Sequence, residues 1–233
     1  ILDKYKILPQ DKIMVICDNG EDLVLIFLII LYHKIIFVPV NPKTTLSEYT
    51  YLKKFTKPKL VITDKYNLKK LKIKKKYFLV EDYERIKNKN RVVEQQLGNS
   101  SNDNKKKEYI SQILFTSGST GKPKGVVLTH NSMIHNLIGL INTINFDRKN
   151  KNFLSITPLY HNNGQFIPTL LPFFIGGKTF SIPPGTSLVN FWPVCEKLKI
   201  NYCSVMATHI NFFNTLKPRK NHSLKNLFCG GAK

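Results

Sequence analysis

A chain of 233 residues with 42% hydrophobic content can bury one large core or two smaller ones, and 36 Lys+Arg against 15 Asp+Glu leave it at +21. That charge would suit an anionic surface, but the lysines run through Asn- and Ile-rich, surface-like stretches without the interleaved aromatics of a single-strand binder, so no specific nucleic-acid partner is expected. Cys17, Cys195, Cys203 and Cys229 form no C-x-x-C pair, which argues against zinc or dithiol chemistry and for free thiols in a reducing, cytoplasmic setting. The longest apolar run, Leu23 to Leu31, falls short of the roughly 20 residues of a bilayer span, and no signal-like pattern opens the chain, so any membrane contact would be peripheral.

In chain order, Leu2 to Leu8 reads as a helix end turning at Pro9, Gln10 and Asp11, and Ile13 to Cys17 as a short strand. Asp18, Asn19 and Gly20 break the chain. Asn19 or Gly20 serves as cap, and Glu21 and Asp22 place negative charge in a first turn. Leu23 to Tyr32 is apolar almost all round, which predicts a buried helix. A strand over Ile35 to Val40, a helix from Thr44 to about Phe55 and a strand over Leu60 to Thr63 follow. This alternation predicts an α/β fold with parallel or mixed sheets flanked by helices. Tyr66 to Asn90 is lysine-rich with a strand over Tyr77 to Val80, and Gln95 to Lys107 reads as an exposed loop.

Ile113 to Phe115 is a strand running into Thr116, Ser117, Gly118, Ser119, Thr120, Gly121, Lys122, Pro123, Lys124 and Gly125, and Val126 to Leu128 resume a strand. Glycines that let backbone N–H groups approach, hydroxyl donors and two lysines make a cradle for a polyphosphate. It is not a Walker loop: Gly118 lies only three residues before Gly121, and proline follows Lys122. Asn131 to Ile144 carries a helical apolar stripe, with Asn131 or Thr129 as cap. A strand over Phe153 to Thr157 delivers Tyr160, His161, Asn162, Asn163 and Gly164, where parallel sheets place ligand sites; alone, the stretch reads more readily as a turn with a satisfied histidine, and the loop upstream shifts the balance toward a site. Phe166 to Phe174 is a helix-like segment, Lys178 to Ile182 a strand, Pro183 to Gly185 a loop, and Leu188 to Lys199 an amphipathic helix. Tyr202 to Val205 is a strand, Thr208 to Leu216 a helix, and Leu224 to Phe228 a strand entering Cys229, Gly230, Gly231 and Ala232. His130 is read as structural, and His33, His135, His209 and His222 as structural or exposed; no two histidines have metal-ligand spacing.

The loop from Thr116 to Gly125, with Pro9-Gln10-Asp11 and Pro39-Val40-Asn41-Pro42 upstream, resembles the signature of the adenylate-forming (AMP-binding) superfamily, in its acyl-CoA synthetase branch. Gln10 stands where the family commonly has glycine. The resemblance implies activation of a carboxylic acid, in the HNNGQ and PGTSLVNFW context a small or, foremost, a fatty one, by ATP with Mg²⁺ to an acyl-adenylate, then transfer to coenzyme A. It also implies that Thr116 to Gly121, Lys122 and Lys124 hold phosphates, and that Gly230, Gly231 and Ala232 approach the adenine and acyl groups. His161, Asn162, Asn163 and Gly164 would border the carboxylate and thiol entry. By the same resemblance residues 1–233 are expected to be a partial N-terminal domain, truncated at both ends. The family's later glutamate, aspartate, hinge and lysine-bearing C-terminal domain lie outside it, so it should be inactive alone, with no catalytic residue assigned within it. A nucleotide-binding relative without catalysis and a basic nucleic-acid or membrane-surface protein are the competing readings, and the oligomeric state stays open.

Overall fold

The structure is a computed structural model that describes residues 1–82, 108–116, 123–147, 149–182, 188–216 and 221–230. It divides into two compact units, residues 1–17 with 25–133 and residues 18–24 with 134–233. The expected loops over 95–107 and 183–185, and the strand-to-strand stretch 117–122, lie outside the described residues.

The first unit is built on β1 (Lys12–Ile16), β2 (Ile36–Pro39), β3 (Leu60–Thr63), β4 (Tyr77–Leu79), β5 (Ile110–Thr116) and β6 (Lys124–Thr129), in the spatial order β4-β3-β1-β2-β5-β6. All neighbours are parallel except β5 and β6. Runs such as Ile36–Pro39 and Leu60–Thr63 are buried at every position, as strands covered on both faces must be. α1 (Glu21–Tyr32) departs from the sequence expectation. Ile26, Phe27 and Ile30 are buried, with Phe27 set 4.9 Å from Phe37, but Leu25, Ile29 and Tyr32 are exposed. A uniformly apolar helix hides its polarity from periodicity, so only packing reveals which face is covered. α2 (Leu46–Thr56) starts on a capping box, Thr45 and Glu48 satisfying each other's backbone N–H groups. α3 (Lys65–Lys70), unseen in the lysine-rich sequence, starts on Asp64, whose carboxylate accepts from the Asn67 N–H at 2.7 Å. The anticipated helix over Leu2 to Leu8 is a single turn.

The second unit repeats the pattern. β7 (Asn152–Ser155), β8 (Lys178–Ser181), β9 (Tyr202–Val205) and β10 (Asn226–Cys229) are all parallel in the order β10-β9-β7-β8. This is the strand order β4-β3-β1-β2 over again: the second strand lies to one side of the first, the third and fourth to the other. α4 (His130–Thr143) enters on Thr129, whose hydroxyl and that of Ser132 each accept the other's backbone N–H. After β7 come α5 (Asn162–Gln165), a π-helical turn (Phe166–Leu170) and α6 (Leu171–Ile175) in place of one regular helix. Pro168 and Pro172 each remove a backbone donor there, and the Thr169 hydroxyl donates to the Gly164 carbonyl at 2.9 Å. A 3₁₀ turn (Leu188–Asn190), α7 (Phe191–Lys197) and α8 (Ala207–Thr215) complete the unit. Its core joins Leu154, Phe191, Cys195, Ile200, Cys203, Val205 and Phe213. Burial pushes the Cys195 thiol up to about 12 and the Cys203 thiol well above its ordinary value, so both pack as neutral groups.

Helix and turn exits share one device. Lys6, Lys34, Lys72 and Lys199 all have φ between 50° and 55°, the left-handed region where glycine is favoured. Each is followed by a buried isoleucine, Ile7, Ile35, Ile73 and Ile200, whose N–H donates five residues back at 2.9 to 3.0 Å. This is the Schellman arrangement with its apolar contact, and lysine stands where glycine would cost least. Lys57, at the end of α2, is also left-handed but carries the simpler bond to the Lys53 carbonyl. Lys57→Gly is therefore expected to stabilise the protein by about 1 kcal/mol, read as a higher urea midpoint at unchanged slope.

Candidate ligand site at the β7 exit

Where the strand order reverses, between β7 and β9, the chain leaves the sheet to opposite sides and a crevice opens beyond the carboxyl ends. Thr157 follows β7, Met206 follows β9 and Gly230 follows β10, and all three line one pocket of about 470 Å³. Asn136 and Leu140 of α4, His161, Asn162 and Asn163 at the start of α5, and Phe166 and Ile167 supply the rest of its wall among the described residues. His161, Asn162, Asn163 and Gly230 are thus brought together from opposite ends of the second unit. Gly231 and Ala232 lie outside the described residues.

Gly164 is buried and does not line the pocket. A Cβ there would collide with the Pro158 carbonyl and come within 2.7 Å of the Thr157 carbonyl oxygen. Only glycine lets α5 sit this close to the β7 exit, and that approach is what points the preceding asparagines into the crevice. The Gln165 side chain donates to the Leu159 carbonyl at 2.8 Å, and the His161 N–H to the Pro158 carbonyl at 3.0 Å. Asn19 grips the same turn at two points: its amide donates to the Thr157 carbonyl at 3.1 Å and accepts from the Leu159 N–H at 2.9 Å. The sequence offers Asn19 or Gly20 as the helix cap, and α1 begins directly after Gly20 while the Asn19 side chain turns elsewhere. Its true partners are some 140 positions away, and the only local hint was an amide just past a strand end.

Burial lowers the His161 pKa and that of His209, which accepts from the Met206 N–H through Nδ1 at 3.3 Å. Both rings are neutral at pH 7, and His161 lies against the Tyr160 ring at 4.5 Å. The Ser204 hydroxyl, wholly buried in β9, donates to Asn163 Oδ1 at 2.5 Å. The Thr157 hydroxyl is also buried and has no hydrogen-bond partner among the described residues. The pocket offers amides, a neutral imidazole and apolar side chains, a lining suited to an organic ligand.

In the first unit, Thr116 and Lys124 face each other as the last pair of the β5–β6 ladder, both exposed. They stand at the base of the hydroxyl- and glycine-rich stretch; Ser117, Gly118, Ser119, Thr120, Gly121 and Lys122 lie outside the described residues. Gln10 proves to be more than a small departure from glycine. It adopts φ 68°, and its side chain bonds the Lys34 carbonyl and both backbone groups of Ile110 at 2.9 to 3.0 Å, tying the start of β5 in place. Among the described residues no three His, Cys, Asp or Glu side chains are grouped to hold a metal ion, and no helix is long and apolar enough to cross a membrane.

A doubly wound α/β protein with its crevice at a strand-order reversal is the class that fold and site define. More narrowly, the chain belongs to the AMP-binding enzyme family, whose model matches residues 1–233. It is 30% identical over 124 residues to a 2-succinylbenzoate–CoA ligase of Staphylococcus aureus strain MSSA476, an alignment covering 53% of this chain and 25% of that protein. Its fold is that of o-succinylbenzoate CoA synthetase from Bacillus subtilis, solved with the acyl-adenylate intermediate OSB-AMP, at a TM-score of 0.79 and 17% identity. It is likewise that of the N-terminal domain of FACL13 from Mycobacterium tuberculosis, at 0.80 and 17%. All or nearly all of this chain is covered, against 58% and 59% of those chains. The chain therefore spans about a quarter of the curated relative's length and under three fifths of the solved ones, and the shared fold is that of the N-terminal domain of adenylate-forming enzymes.

Two measurements check the local argument. Gly164→Ala should destabilise the protein by about 3 kcal/mol, because backbone and not a flexible side chain must give way, and thermal unfolding reads this. His130, His161 and His209 all have folded pKa values below the ordinary 6.5. The unfolded chain then binds more protons than the folded one just below that value. Their contribution to stability is complete above pH 6.5 and declines as pH falls through and below it. Histidine ring NMR titrations should show these three midpoints below 6.5, and denaturant midpoints should drop between pH 7.5 and 5.5.

Proposed function

We propose that this chain is the nucleotide- and acid-binding large-domain portion of an acid–thiol ligase. In that reading a carboxylate is activated by ATP to an acyl-adenylate, which coenzyme A then converts to a thioester. The observation that carries the reading is the loop from Thr116 to Lys124: hydroxyls, glycines and two lysines, with Thr116 and Lys124 paired across its base on an antiparallel ladder. Such a loop can meet several phosphate oxygens at once, and Lys124 adds a charge that strengthens each contact. The ligase names of the relatives agree with it. Phosphoryl chemistry asks mainly for positioning and charge neutralisation, so these residues would hold the β- and γ-phosphates while the α-phosphate takes the attacking carboxylate. Mg²⁺ would come with ATP and supply further neutralisation; no described residue is assigned to it.

The crevice of the second unit is the acid and thiol side of this reading. Gly230 leaves room for the acyl group, and neutral His161 can orient a carboxylate oxygen through an N–H without a fixed positive charge to trap it. A small or fatty acid is the narrower substrate suggested by the HNNGQ and PGTSLVNFW stretches, and the 2-succinylbenzoate of the relatives' names is an aromatic one. Because the chain spans only part of its relatives, the 233 residues alone are expected to bind ATP with little or no turnover.

Calorimetric titration of the chain with ATP tests the reading. Micromolar to millimolar binding is expected, weakened about tenfold or more in Lys124→Ala, with pyrophosphate release in the presence of carboxylates near background. Binding that ignores Lys124→Ala would count for a merely basic surface. ATP binding with no response to any carboxylate or thiol in the longest available form of the protein would favour a nucleotide-binding relative without catalysis.

A further inference from the structure

One donor in the crevice is aimed and unused among the described residues. Asn163 Oδ1 is occupied by the hydrogen bond from the Ser204 hydroxyl, at 2.5 Å from a side chain that β9 buries completely. With its oxygen so held, the amide cannot turn, and its Nδ2 must face the other way. There it lies 3.9 Å from the point where a Cβ on Gly230 would sit, the only described atom within 4 Å of that point. Both Asn163 and Gly230 line the 470 Å³ pocket, and Nδ2 donates to none of the described residues. A side chain at position 230 would fill the space this donor looks into, and glycine leaves it clear of the other described side chains.

We propose that Asn163 is a specificity-determining residue that donates a hydrogen bond from Nδ2 to an oxygen on the body of the bound acid. The class of substrate is then a carboxylic acid bearing a keto or ether oxygen beside Gly230, in preference to the plain alkyl chain of an ordinary fatty acid. The inference rests on the reading of this crevice as the acid site. Ser204 is the positioning residue: it touches no ligand but fixes which end of the amide the ligand meets. The physical basis is that a preset donor in a partly desolvated crevice loses its water when an alkyl chain enters and regains a partner when an oxygen enters.

The test is calorimetric titration of the 233-residue chain with matched pairs of phenyl-substituted β-, γ- or δ-oxo acids and their methylene counterparts, with ATP binding as the control for a folded protein. The unmodified chain should bind one of the oxo acids about tenfold or more tighter than its methylene analogue. Asn163→Leu should bring that ratio to about one, and Asn163→Asp, which has similar shape but offers an acceptor in place of the donor, should invert it. Ser204→Ala should shrink the ratio with less effect on binding of the methylene acid. Equal binding within every pair, or a preference that survives Asn163→Leu, overturns the inference while acid binding itself stands. If no acid of either kind binds while ATP still does, the reading of the crevice as the acid site is lost and the inference with it.

Discussion

The candidate site hangs on the three residues that leave β7. Thr157, Pro158 and Leu159 present backbone carbonyls and an N–H beyond the carboxyl end of a parallel sheet, past the reach of the ladder bonds that β7 makes with β8 and β9. Asn19, Gln165 and the His161 N–H satisfy them instead, and Gly164 allows α5 to press against the same carbonyls. A buried backbone group left unpaired costs about 1 to 3 kcal/mol. Meeting these needs therefore fixes where α5 begins, and with it where His161, Asn162 and Asn163 point. Site geometry here follows from backbone satisfaction: the amides reach the crevice because the strand exit had to be closed.

A second constraint runs through both units. Several turn and helix exits pass through a residue in the left-handed region, which reverses the chain toward the next strand. This chain places lysine at four such exits and adds a buried isoleucine to each. The apolar anchor compensates for backbone strain of about 1 to 2 kcal/mol per lysine, and the charged end projects to solvent at no further cost. Four of the chain's lysines thus sit at left-handed turn and helix exits. Gln10 follows similar logic: a residue strained at φ 68° is retained because its side chain ties three backbone groups together.

Much of this was legible in the sequence where the signal is local. Alternating strands and helices, the helix beginning at Thr44 and Thr45 and the apolar stripe of α4 are short-range patterns, and the structure has them, with the Thr45–Glu48 box added by the structure. The failures are physical too. α1 carries no polar face to betray which side is exposed, and the lysines around α3 mask a helix only six residues long. Two prolines split the segment after α5 into α and π turns, because a missing N–H shifts the bonding pattern of neighbours that a hydropathy profile counts as equal.

By itself the sequence determined the α/β class, the family signature from Thr116 to Gly125 and the candidate residues around His161, because each depends on neighbours along the chain. Tertiary structure alone decided that Asn19 belongs to the β7 exit, that Gly164 serves packing and that Asn163 turns its amine to Gly230. The Asn19 and Asn163 choices depend on atoms brought close from 41 positions away for Ser204 and Asn163 and 140 for Leu159 and Asn19, while Gly164 meets carbonyls only six and seven positions back that the strand exit folds against it. A hydrogen bond's partner is set by distance and angle in space, and no pattern of neighbours in sequence encodes it.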